Sequence, residues 1–221
     1  MVHASLRKLG PVEGGAGGLL SVILELIGSE GTLVFPLGSE INEPFNALTS
    51  PAEKDIGVLA EVFRQWPGTK VNDHPAGRFG ALGHRADWLL KPTPLHDYLG
   101  PGSLLDRFTQ ADGIILRLGA DPDTMTLTHY AEYLADLPHK DTVAIPYIWS
   151  TGREEIIRSL DDCNGIVQWD YGDYFSQILL DFLEEQHTDV GQVGSCRAEL
   201  ISARLFVSFA VDWMEKNLKK S

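Results

Sequence analysis

The chain opens on an alternation of short apolar runs around a glycine-rich segment, and this alternation restricts the fold more than any other feature of the sequence. Met1 to His3 reads as the tail of a strand. A glycine-rich stretch from Gly10 to Gly18 follows, and Leu19, Leu20, Ile23, Leu24 and Ile27 then recur at helical spacing. Gly28 and Gly31 end that helix. Thr32 to Phe35, apolar, partly β-branched and closed by Pro36, reads as a buried strand. Strand, loop, helix, strand is the pattern of α/β architecture with crossover helices. The expectation is therefore a mixed, largely parallel sheet flanked by helices.

Further along, Gly38 to Ala52 is polar and interrupted by Pro44 and Pro51, so it reads as a loop after the second strand, where ligands collect in open α/β sheets. Ile56, Leu59, Ala60, Val62 and Phe63 mark a second amphipathic helix ended by Pro67-Gly68. Ala81 to Leu90 looks helical, Pro92 to Gly102 reads as a loop and Gly113 to Leu118 as a buried strand. Helices are expected over Thr124 to Ala135 and Tyr174 to Glu185, with a strand over Thr142 to Trp149 between them. Ser202 reads as the N-cap of a last helix, whose Lys216, Lys219 and Lys220 suit the negative pole of its dipole. With neither repeat nor linker visible, residues 1–221 read as a single domain with a smaller lobe from about position 139.

Charge and cysteine usage exclude several classes of partner. Acidic residues number 31 against 18 basic ones, a formal net charge of -13, and such a field repels phosphate backbones while attracting cations. Nucleic acid is thus an unsuitable partner; solubility is the other account of the same charge. Cys163 and Cys196 have no C-x-x-C spacing, so neither a zinc site nor a disulfide framework is expected, and a reducing cytoplasm fits. No apolar run approaches the ~20 residues of a membrane span, and the N-terminus lacks a basic segment leading into an apolar signal core.

Few residues carry informative chemistry. Gly14-Gly15-Ala16-Gly17-Gly18 ends where a helix begins, which suits either a diphosphate on free backbone N–H groups or a structural turn. It matches neither G-x-G-x-x-G, because Leu20 stands at the last glycine, nor a P-loop. His129 and Glu132 are three apart and share one helix face, the geometry of a base with its orienting carboxylate and equally of a solvated surface pair. His3 lies at the C-terminal end of the first strand, a position for a site or for a core-edge histidine. His74 reads as structural; His84, His96, His139 and His187 have no partner at informative spacing. A metal set of His3, His129 and Glu132 has no H-E-x-x-H or H-x-x-E-H support, and the G-x-S-x-G elbow of serine hydrolases is missing, so no metal is expected.

Several segments together resemble one family. Val2-His3-Ala4-Ser5-Leu6 with Gly10 and Gly14-Gly15, Gly31-Thr32-Leu33-Val34-Phe35-Pro36, Phe63-Arg64 with Pro67-Gly68 and His74-Pro75, Thr126-Leu127-Thr128-His129-Tyr130-Ala131-Glu132-Tyr133, Val193-Gly194 through Leu200, and Val211-Asp212-Trp213 are colinear with the landmarks of the aminoglycoside 3-N-acetyltransferases, also called antibiotic N-acetyltransferases. Three places depart from the family's pattern: Val71-Asn72 replaces an Arg-Ser pair, Arg78 a small hydroxyl residue and Met125 an Asn.

The resemblance implies a fold distinct from the GNAT acetyltransferases and direct acetyl transfer from acetyl-coenzyme A to the 3-amino group of an aminoglycoside. It implies His129 as general base, Glu132 as its orienting carboxylate, Thr126 as donor to the thioester oxygen and His3 near the thioester. Ser5, Leu6, Gly14, Gly15 and Ser103 would lie along the coenzyme. A polycationic acceptor further suggests acidic contacts, with Glu40, Glu43, Asp170 and Asp173 as candidates. Acetylation of another small amine, or coenzyme binding without turnover by a shortened family member, stays compatible with the same residues, and both a monomer and a homodimer remain open.

Overall fold

The computed structural model describes residues 1–185 and 188–219; His187 and Lys220 lie outside the described residues. β1 (Val2–Ala4) leads into the single turn α1 (Leu6–Leu9) and then α2 (Gly15–Ile27), which stops at Gly28 with φ of 65°. β2 (Thr32–Pro36), α3 (Val58–Arg64), β3 (Lys70–Val71), β4 (Phe79–Gly83), α4 (Ala86–Leu89), α5 (Leu104–Gln110) and β5 (Ile114–Leu118) follow. The second half holds α6 (Leu127–Leu134), β6 (Thr142–Ile148), β7 (Glu154–Leu160), α7 (Tyr174–Glu185), β8 (Asp189–Val193), β9 (Cys196–Ser202) and α8 (Ala203–Asn217). Ser202 caps α8 as expected, its Oγ accepting the Leu205 N–H at 3.3 Å.

The α/β class holds, but the strand directions correct the expectation of a largely parallel sheet. Among the described strands, β1 and β5 pair in parallel, in the sheet ordered β1-β5-β9-β8, and the other pairings of named strands are antiparallel. β2 does not join β1; it pairs with β4 in a second sheet ordered β2-β4-β3, and β6 and β7 form a separate hairpin.

The physical reason lies in Phe79-Gly80-Ala81-Leu82-Gly83, part of which reads as helix from sequence. This segment is a strand lying flat on the α3 packing layer: a Cβ at Gly80 would stand 3.1 Å from the Phe63 ring and 3.2 Å from Leu37. A glycine with so little room allows the close approach, and β2 takes the partner this creates.

Two apolar clusters fill the interior. One holds Leu20, Ile23, Leu33, Phe35 and Phe63 between α2, β2 and α3. The other joins Met1, Val34 and Leu104 to Tyr147, Ile157, Ile178 and Phe206, so the segment from about 139 shares a core with the first half. The loop 38–52 is fastened to the hairpin by Phe45, whose N–H donates to Ile148 O at 2.7 Å and whose carbonyl accepts Ser150 N–H at 2.7 Å. Beneath that loop lies Arg78, buried, its guanidinium donating to the carbonyls of Ala47, Ser50 and Pro51 at 2.8 to 2.9 Å and to that of Gly38 at 3.3 Å. Asn72 and Met125, the other two departures, are also buried. The Asn72 side chain bridges Gly77 O and Phe79 N–H at 2.8 and 2.7 Å.

Candidate active site

α6 places the central pair. Nδ1 of His129 lies 3.1 Å from Oε2 of Glu132 on the same helix face. An ionised carboxylate only accepts, so Nδ1 carries the hydrogen and Nε2 is the nitrogen left free to take a proton. The second oxygen of Glu132 accepts the Tyr174 hydroxyl, which itself accepts Ile166 N–H at 2.8 Å. Both carboxylate oxygens are therefore held, and α7 contributes to fixing a group on α6. Glu132 is 1% exposed and His129 19%, so the carboxylate is sealed while the ring reaches open space. Burial pulls the imidazole pKa down, but the hydrogen bond and charge of Glu132, aided by Asp162, outweigh it, and the net shift is upward. Phe175 packs against the ring at a tilt of 59°, with centroids 4.7 Å apart.

His129 stands on the wall between two cavities. The first, about 570 Å³, runs from His3, Ser5, Leu6 and Arg7 past Phe35, Leu59 and Phe79 to Thr126 and His129. The second, about 590 Å³, is lined by Asp123, Asp162 and Asp173, by Trp169 and Phe175, and again by His129. The first cavity is mostly apolar and mixes the carboxylates of Glu53, Asp55, Asp121 and Asp123 with Arg7 and Arg78; the second shares Asp123 and carries Asp162 and Asp173 with no Lys or Arg in its lining. The imidazole is accessible to both.

Thr126 is the N-cap of α6 but makes no side-chain capping bond, so its hydroxyl is not consumed locally, and it lines the first cavity. His3 sits there too, buried, with Nε2 lacking a hydrogen-bond partner among the described residues. Burial and the neighbouring Arg117 guanidinium drive its pKa down to about 3, which keeps the ring neutral. Arg117 is opposite His3 on β5 and opposite Glu199 on β9, and its Nε bonds Glu199 at 3.0 Å. The same guanidinium donates to the Ala120 carbonyl at 2.8 Å and so shapes the loop that forms one lip of the cleft.

Other expected residues lie elsewhere. Ser103 is fully buried, its Oγ accepts Asp106 N–H as the N-cap of α5, and it lines neither cavity. Gly14 and Gly15 line neither cavity. Their positive φ of 70° and 60°, and a virtual Cβ at Gly18 only 1.9 Å from Glu13 O, give the glycine run a turn-forming reason of its own. Glu40, near Lys54, Glu43 and Asp170 also stand outside both linings; of the four acidic candidates only Asp173 lines the second cavity. His74 is structural as expected, its two ring nitrogens engaged by Gly77 N–H and Leu95 O at 2.8 and 3.1 Å.

The sequence reading missed Asp123, Asp162, Tyr174 and Phe175. Asp162 is held by the Tyr98 hydroxyl, and the turn carrying it is tied by Asp161, which accepts N–H bonds from Cys163 and Asn164. Asp-Asp followed by Cys-Asn was a turn signal in the sequence, but only the position of β7 brings that turn to His129.

Residues 1–215 match the family described as aminoglycoside 3-N-acetyltransferase. The chain belongs to that family. Aminoglycoside N(3)-acetyltransferase III of Pseudomonas aeruginosa is 32% identical over 241 aligned residues, covering 100% of this chain and 88% of the relative. Aminoglycoside N(3)-acetyltransferase IX of Micromonospora chalcea is 29% identical, covering 99% and 87%. Among solved structures, AAC-IIIb in a binary complex with CoASH aligns with a TM-score of 0.92 at 32% identity, covering 98% of this chain and 89% of that one. AAC-VIa bound to sisomicin aligns with a TM-score of 0.89 at 29% identity, covering 98% and 90%. The α/β architecture is thus that of the aminoglycoside 3-N-acetyltransferases. Among the described residues no helix is long and apolar enough to cross a membrane.

Proposed function

We propose that this family member transfers the acetyl group of acetyl-coenzyme A directly to the 3-amino group of an aminoglycoside, as a cytoplasmic enzyme that uses no metal. The observation that carries this reading is that His129 lines two cavities, a mostly apolar one and one whose charged residues, His129 aside, are all carboxylates. A donor and a cationic acceptor can approach one imidazole from opposite sides.

The first cavity fits a coenzyme arm: its volume is in the ordinary range for ligand clefts, its lining is largely apolar, and the orphaned His3 nitrogen and free Thr126 hydroxyl are polar contacts that the protein itself does not use. Ser5 and Leu6 line it. When bound, the coenzyme supplies an activated acyl group, so no covalent nucleophile is needed. Asp162, Asp173 and Asp123 attract and orient the ammonium groups of the acceptor, while the acceptor's 3-amino group is held beside His129. As the amine nitrogen bonds to the carbonyl carbon and the carbon–sulfur bond breaks, His129 Nε2 takes the amine proton and Glu132 stabilises the imidazolium. Thr126, at the N-cap of α6 and on the lining of the first cavity, offers its hydroxyl to the carbonyl oxygen as it gains charge, and the proton taken by His129 then passes to the departing thiolate.

The test is thiol release from acetyl-coenzyme A in the presence of a panel of aminoglycosides and simple amines. Release with acceptors bearing a 3-amino group, together with mass spectrometry placing one acetyl on that nitrogen, is the expected outcome. Release that requires no 3-amino group, or binding of the coenzyme without release, would overturn the assignment.

A further inference from the structure

We propose that Trp169 and Tyr171 form an aromatic platform for an outer sugar ring of the acceptor, which makes this chain select multi-ring aminoglycosides over single-ring amines. The inference rests on the reading of the second cavity as the acceptor site and names two recognition residues beyond its carboxylates.

Trp169 lines the second cavity, and Tyr171 stands next to it with ring centroids 5.4 Å apart. Tyr171 is 84% exposed, more than any other large hydrophobic side chain among the described residues. An exposed tyrosine alone is unremarkable chemistry, but this one is anchored from behind. Trp169 meets Trp213 edge to face at 5.3 Å, and the Trp213 indole N–H donates to Asp181 at 2.6 Å, so three aromatic rings step from the buried side of α8 out to the rim of the cavity.

The segment between them is pinned as well. Gly172 turns the chain with φ of 113°, its N–H donating to Trp169 O at 3.3 Å, and the Asp173 carboxylate accepts the N–H groups of Phe175 and Ser176 at 3.0 and 3.1 Å at the start of α7. Tyr171 is therefore presented rather than loose.

The chemistry of this surface is that of an amino sugar. One face of a pyranose ring is a set of C–H bonds, and those beside an ammonium-bearing carbon are electron-poor, so they are drawn to the negative face of an aromatic ring. Asp173, which lines the second cavity together with Trp169, supplies a carboxylate for an ammonium group of that same ring. An acceptor whose reacting nitrogen sits at His129 fills the cavity with its central ring. Its remaining rings must leave along a wall, and Val167, Trp169 and Phe175 contribute apolar surface to that wall.

The experiment compares the full chain with Tyr171→Ala and Tyr171→Phe, using sisomicin and single-ring 2-deoxystreptamine, both by thiol release and by fluorescence titration of the coenzyme A complex. The expected result is that Tyr171→Ala raises the ratio of the KM for sisomicin to that for 2-deoxystreptamine by about 5- to 10-fold, that Tyr171→Phe restores it, and that sisomicin perturbs the tryptophan emission of the parent chain. An unchanged ratio in Tyr171→Ala overturns the platform even where turnover is intact. Sisomicin binding with this dependence on Tyr171 but without thiol release would overturn the activity and keep the platform, and absence of sisomicin binding to the parent chain would overturn both.

Discussion

Nδ1 of His129 and Oε2 of Glu132 lie 3.1 Å apart across one turn of α6. That contact sets the tautomer of the ring and holds its pKa above the ordinary histidine value, against the pull of burial. A general base works in its deprotonated form, so kcat/KM is expected to rise with pH and to level off only above the raised imidazole pKa. In Glu132→Gln the principal upward influence is gone. The acid limb should move to lower pH while the plateau falls by about 10- to 10²-fold, because the ring loses its orienter and the stabilisation of its protonated form. A pH–rate profile for parent and variant checks both shifts; an acid limb that stays in place would detach Glu132 from the titration of His129.

His129→Ala is expected to lower kcat by about 10²-fold or more, as loss of a general base does, with coenzyme affinity nearly unchanged. The ring is partly exposed, and Glu132 keeps its bond from Tyr174, so the fold should survive. Single-turnover rates with the coenzyme titrated by calorimetry measure the two quantities apart. Full turnover in this variant would remove His129 from the mechanism.

Tyr174→Phe deletes one hydroxyl that serves two partners, Ile166 N–H and Glu132 Oε1. A buried N–H and a buried carboxylate oxygen each lose a bond, so the expected cost is about 2 to 4 kcal/mol of stability. Activity should drop by about 10-fold through the loosened carboxylate, with kcat affected more than KM. Denaturant unfolding and steady-state kinetics on the same preparation provide the check.

Asp162→Asn tests the charge of the second cavity. The carboxylate lines that cavity and also helps to raise the His129 pKa. The expected outcome is a KM for a polycationic acceptor raised by about 10-fold at low ionic strength, with a smaller difference at high salt, since the attraction is screened over about 8 to 10 Å near physiological ionic strength. A difference that is independent of salt would show that Asp162 acts through shape alone.

Arg78→Ala addresses the loop 38–52. Its guanidinium donates to four backbone carbonyls and is buried, with its pKa lowered to about 10 by that burial. Loss of these charged donors leaves carbonyls unsatisfied and a cavity behind, for a cost of about 3 kcal/mol. Urea unfolding measures it, and faster proteolysis within residues 38–52 should accompany it.

The local pieces of this protein were written in the order of residues. Periodicity located α2, α3, α6, α7 and α8, and apolar runs located β1, β2, β5 and β6, because amphipathic spacing and strand composition act over a few neighbours. The His129–Glu132 pair was legible for the same reason: three residues on a helix are one face. The helix expected over Ala81 to Leu90 holds only for α4, and its first residues belong to β4, because the close packing of Gly80 on Phe63 is a contact between distant segments. β7, β8 and β9 carry mixed polar residues whose strand character comes from partners across the sheet.

What the chain alone determined was therefore its longer helices, its turn-forming glycines, its acidity and the His129–Glu132 pair on one helix face. What only the tertiary structure decided was which strands met and which acids faced that pair. Tyr174 reaches Glu132 across 42 positions, and Asp162 on the turn after β7 comes into the same cavity as His129, while Glu40, Glu43 and Asp170, equally acidic in sequence, do not. The physical reason is that hydrogen-bond geometry and the sign of a nearby charge depend on separation in space, and a linear sequence specifies that separation only within a turn or two of a helix.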